Sequence, residues 1–78
     1  MECVRLQKFT VDGKKVKVAR AEKDWTITLL AEKSGVTRKT IGQIERGTKR
    51  KIRWLTLLQL AETLEKPLEY FCTRVEEF

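Results

Sequence analysis

Thr37 is followed by two cations, Arg38 and Lys39, and Gln43 lies four residues beyond Lys39. Arg46 comes next, and then Lys49, Arg50, Lys51 and Arg53 place four cations within five residues. Together these are charged and neutral hydrogen-bond donors suited to an anionic partner, and the Gln43 amide can also accept. Thr37 is a natural helix N-cap, so Arg38 and Lys39 fall in a first helical turn. Cations there oppose the helix dipole by roughly 0.3–1 kcal/mol each. A chain selected for stability alone would carry Asp or Glu at those positions. The plainer alternative for any such cluster is a solvated face.

Catalytic chemistry finds little support. Histidine is absent, which removes the commonest general base and metal ligand. Cys3 and Cys72 form no CxxC pair, so a metal site is not expected. A cysteine without a histidine has no base to activate it, and no two carboxylates are spaced as an acid/base pair. The enzyme class is set aside, and no cofactor is expected. A disulfide between the two cysteines is allowed in principle. Two reduced, partly buried thiols are the expectation for a chain whose start lacks the basic-then-apolar pattern of a secretory signal.

The elements that must position these residues follow from periodicity and capping. The 78 residues read as one small domain that buries only about 60% of its unfolded surface. Residues 1–13 read as an N-terminal extension, with an extended strand expected before the Asp12-Gly13 turn signal. A first helix covers residues 14–24, with Val16, Ala19 and Arg20 on one face. Thr26 caps a second helix that carries Leu29, Leu30 and Ala31 and stops at Gly35. Thr37 caps a third, which turns Ile41 and Ile44 inward and ends at Gly47. Residues 48–53 read as a basic loop. A fourth helix, with Leu57, Leu58, Leu60, Ala61 and Leu64 as its apolar stripe, spans residues 54–64. Pro67 opens a short fifth helix holding Leu68 and Phe71. The tail, residues 73–78, is either frayed or paired with the N-terminal strand.

Charge is unevenly distributed along these elements. The chain has 17 Lys and Arg against 11 Asp and Glu, a net +6. Residues 1–13 are neutral, residues 14–53 carry +9, and residues 54–78 carry −3. The total alone allows nucleic acid, a membrane surface or an acidic protein as partner. No apolar run reaches the roughly 18 residues of a membrane span, so a cytoplasmic, nucleoid-associated place is expected. Concentration of the positive charge on the third helix and the loop favours duplex DNA.

The layout Leu30-Ala31-Glu32-Lys33-Ser34-Gly35-Val36-Thr37, then Ile41, Ile44-Glu45-Arg46-Gly47, Thr56-Leu57-Leu58, Leu60-Ala61 and Leu64 resembles the Cro and phage-repressor, or XRE-like, helix-turn-helix family. The resemblance covers roughly residues 14–71. It implies an all-α domain of five helices at residues 14–72, with any terminal strand pairing as an addition. It also implies a homodimeric regulator, most often a repressor, that binds a palindromic operator with helix 37–46 in the major groove. On that docking Arg38, Lys39 and Gln43 contact bases. Thr37, Thr40, Arg46, Lys49, Arg50, Lys51 and Arg53 contact phosphates. Gly42, on the same exposed face, either permits close backbone approach or merely weakens the helix. Arg20 and Glu45 match two family positions that commonly form a structural ion pair. Trp54 and Leu55 lie at the family's usual dimer seam. Ile27 stands where the family commonly has a phosphate-bonding Gln, and Glu65-Lys66 where it often has Gly-Val. The alternative from another class is an antitoxin-type module that grips a toxin, with DNA binding secondary.

Overall fold

The computed structural model describes the backbone of residues 8–76 and the side chains of residues 9–72. The elements in order are β1 (Lys8–Val11), α1 (Gly13–Glu22), α2 (Ile27–Ser34), α3 (Arg38–Arg46), β2 (Lys51–Arg53), α4 (Trp54–Leu64), α5 (Leu68–Phe71) and β3 (Cys72–Glu76). Among the described residues five helices thus form the body, as the helical pattern and the family resemblance imply. The strand expectation for residues 1–7, and Cys3 with it, lies outside the described residues.

Local chemistry accounts for the helix ends. Asp12 caps α1 by accepting from the Lys14 amide at 3.0 Å. Thr26 caps α2 through the Leu29 amide, and Thr37 caps α3 through the Thr40 amide. Each such cap satisfies a donor that the helix cannot. Gly35 and Gly47 close α2 and α3 at φ of 80° and 84°. Those are left-handed conformations that glycine adopts without steric penalty. Glu65 holds the same region at the end of α4, at φ 60°, where a side chain is strained.

The sheet is larger than the expected terminal pairing. It has three antiparallel strands in the order β2-β1-β3. Phe9 faces Ile52 on one side and Val75 on the other in register. β2 corrects the reading of residues 48–53 as loop throughout, because the final three residues form a strand. Its one apolar residue, Ile52, is 2% exposed, and Lys51 and Arg53 on either side are exposed. The tail pairs with β1 through residues 72–76 rather than fraying there.

One core joins the sheet and the helices. Phe9, Val11 and Ile52 from the strands pack in a single cluster with Val16, Leu30, Ile41, Ile44, Leu57, Leu60, Leu64 and Phe71. Ile27 and Trp25 pack against its edge, so Ile27 at the start of α2 contributes apolar packing. The Trp25 ring is also flanked by the ammonium groups of Lys23 and Lys33 at 5.3 and 5.2 Å, within cation–π range. Gly13 permits one close approach: a Cβ there would overlap the Ile44 carbonyl. The start of α1 therefore rests directly on the backbone of α3.

Candidate nucleic-acid interface

The inward side of α3 is anchored by apolar and ionic contacts. Ile41 and Ile44 are 0% and 1% exposed. Glu45 accepts two bonds from the Arg20 guanidinium of α1, from Nε at 2.8 Å and from Nη2 at 3.0 Å. The remaining Arg20 nitrogen, Nη1, donates to the Trp25 carbonyl at 2.7 Å. The side chains of this pair are 15% and 6% exposed, so the pair is a bidentate, largely desolvated strut between α1 and α3. Hydrogen bonding to Glu45 raises the Arg20 pKa; burial opposes this and Coulomb attraction to Glu45 adds to it.

The outward side is chemically open. The first turn of α3 has no acidic residue, and both Arg38 and Lys39 are exposed there. Arg38 reaches across to α2, with Nη1 3.3 Å from the Thr28 hydroxyl. At about 100° per residue, Lys39, Gln43 and Arg46 lie together on the side opposite Ile41 and Ile44. Gln43 is half-buried and Arg46 exposed. The side chains of Lys39, Arg46, Lys49, Arg50 and Arg53 make no hydrogen bond or ion pair among the described residues. Thr37 serves as the cap and also donates its hydroxyl to that of Thr40, 3.0 Å away.

The basic segment after α3 is tied to the helix. The Gln43 carbonyl accepts from the Thr48 and Lys49 amides at 3.0 and 3.1 Å and from the Thr48 hydroxyl at 3.1 Å. These bonds to one oxygen hold the turn, and Lys49 with it, against the end of α3. Thr40, Lys49, Lys51, Ile52, Arg53 and Thr56 then line a cleft between α3, β2 and α4. Sequence reasoning assigned Thr56 no role; it lines the cleft from the first turn of α4. Arg50 lies apart, in a second cleft with Asp12, Lys14, Arg46 and Gly47. Trp54 is half-buried against the core, and Leu55 beside it is 56% exposed. Gly42 is buried rather than exposed, and the side-chain atoms nearest a Cβ built there belong to Arg46.

A helix-turn-helix whose second helix presents exposed cations outward defines a DNA-binding regulator class. Comparison with known proteins agrees. Residues 16–71 match the helix-turn-helix family HTH_3, and the chain belongs to this XRE-type family of DNA-binding transcription regulators. Among solved structures it is similar to the restriction-modification controller protein C.AhdI from Aeromonas hydrophila. The identity is 28% over 74% of this chain and 86% of that one, with a TM-score of 0.69. It is equally similar to the biofilm master regulator SinR solved with DNA, at 28% identity over 73% and 90% of the two chains and a TM-score of 0.71. The SinR DNA-binding domain from Bacillus subtilis gives the same TM-score and identity over 73% and 83%. No curated protein sequence matches the chain. No helix among the described residues is long and apolar enough to cross a membrane.

Proposed function

We propose that the chain is a transcriptional repressor that binds a palindromic operator as a homodimer, with α3 in the major groove. The observation that carries this reading is the acid-free first turn of α3, whose exposed Arg38 and Lys39 stand beside the cationic cleft. Arg38, Lys39 and Gln43 read base edges, Arg or Lys suiting guanine and Gln suiting adenine. Thr37, Thr40, Lys49, Arg50, Lys51 and Arg53 hold phosphates and supply register rather than sequence choice. Exposed Leu55, next to Trp54, supplies the apolar seam between protomers. A two-fold axis there sets half-sites about 34 Å apart. The similar SinR is solved in complex with DNA, which supports the DNA reading, and the protein then works in the cytoplasm at the nucleoid.

The test is a binding selection on random duplex DNA, followed by sedimentation of the free protein. A palindromic enriched site and micromolar self-association are expected. An enriched half-site with no symmetry, from a protein that stays monomeric with and without DNA, overturns the dimer. Failure to enrich any duplex overturns the operator reading and leaves the antitoxin-type alternative, in which the acidic C-terminal segment grips a protein.

A further inference from the structure

Arg46 closes α3, where a cation suits the helix dipole, and its place in the sequence assigns it to phosphate. Its conformation says otherwise. A Cβ built on Gly42 would lie 3.2 Å from Arg46 Nη1 and 3.7 Å from Cζ and Nη2, the nearest atoms to it beyond the local helix backbone. The guanidinium therefore folds back one turn, toward the bare backbone of Gly42, which is itself buried. One turn is about 5.4 Å along the axis, which carries the charged head from the end of α3 toward its middle. Seven residues separate Lys39 from Arg46, which brings them within about 20° of each other around the helix. Lys39, Gln43 and the Arg46 head then share the outward face. The guanidinium has no hydrogen-bond or ionic partner among the described residues, so its fork of donors is open.

We infer that Arg46 is a base-reading residue that donates its guanidinium to a guanine from above Gly42, and that Gly42 is the position that admits it. A Cβ at 42 would crowd Nη1 at 3.2 Å, so the guanidinium would have to shift by a few tenths of an ångström, and a bulkier side chain would displace it further. The inference rests on the proposed docking of α3 in the major groove, but it changes which residues choose the sequence. A bidentate bond to guanine O6 and N7 discriminates by about 5- to 100-fold.

The experiment starts from the duplex that the native protein enriches from a random pool. Every base pair of one half-site is substituted in turn, and affinities are measured by fluorescence anisotropy for the native protein, Arg46→Ala, Arg46→Lys and Gly42→Ala. The native protein should prefer guanine at one position by about 5- to 100-fold. Both Arg46 variants should lose that preference, Gly42→Ala should weaken it, and all three should keep those at other positions. Arg46→Lys retains the charge but not the fork, so its salt dependence should match that of the native protein. Gly42→Ala should also raise the melting temperature, because alanine favours helix; lost selectivity then cannot be attributed to unfolding. A uniform loss of affinity for Arg46→Ala, with the salt slope reduced by about 1, would make Arg46 a phosphate contact and overturn the inference while leaving the docking intact. Guanine preference undiminished in Gly42→Ala overturns the role of the glycine. Absence of any enriched duplex for the native protein overturns the docking itself.

Discussion

Two arginines beside α3 do opposite work. Arg20 is held against the inner side of the helix, with its guanidinium bonded to Glu45 and to the Trp25 carbonyl. Arg46 lies on the outer side of the same helix, with no bonded partner among the described residues. The two carry the same side chain and the same charge, and what separates them is the chemistry each one meets. A desolvated cation must be paired, because an unpaired buried charge is severely penalised. A solvated cation can remain open because water satisfies it until a partner displaces that water. The inner side of α3 therefore stores stability, and the outer side leaves its cations open to solvent.

Mutation can break or sharpen this contrast. The largest effect is expected at the inner pair: Arg20→Ala leaves Glu45 buried without its partner and should cost about 3–5 kcal/mol in urea unfolding. Replacing both partners, as Arg20→Met with Glu45→Leu, should cost clearly less. A double variant whose loss equals the sum of the single losses would show that the pair is no strut. Next comes Gly13→Ala. It forces α1 away from the Ile44 carbonyl and should lower stability by about 1–3 kcal/mol. An unchanged unfolding midpoint would mean that the contact between α1 and α3 is soft.

The outer side should respond in binding and not in stability. Lys49→Ala with Arg53→Ala removes two cleft cations and should weaken duplex binding about tenfold, reducing the salt slope by about 2. The unfolding curve should hardly move, since neither side chain has a bonded partner among the described residues. An unchanged salt slope would take the cleft out of the interface. The smallest effect is expected at Glu65→Gly. Relief of the left-handed strain at φ 60° should raise stability by up to about 1 kcal/mol. The exposed bond from Lys23 to Glu65 at 3.1 Å contributes little against this. A loss of stability in thermal unfolding would show that this surface pair outweighs the strain.

Much of the scaffold is legible locally. Thr26 and Thr37 each cap the helix that follows, and Gly35 and Gly47 each stop the helix before. These are effects within one or two turns, so the residues that cause them are neighbours in the chain. The outward placement of Lys39 and Gln43 follows from the inward pull of Ile41 and Ile44, again within a single helix. The meeting of Arg20 with Glu45 is not legible in this way: twenty-five residues separate them, and only the family resemblance pointed to the pair. β2 was hidden for a related reason. Three residues with a single apolar member carry no periodic signal, and Lys51–Arg53 become a strand only because β1 offers them hydrogen bonds.

Capping, turn chemistry and helical periodicity depend on near neighbours, and these already placed a basic helix and a basic loop side by side in the chain. Folding added the contacts between distant segments. It set Gly13 against the Ile44 carbonyl, brought Thr56 to the cleft, and turned one arginine inward to a carboxylate. Arg46 stands between the two cases. Its distance from Gly42 is a single helical turn, yet the direction of its side chain emerges only when the packed helix leaves the space over Gly42 as its resting place.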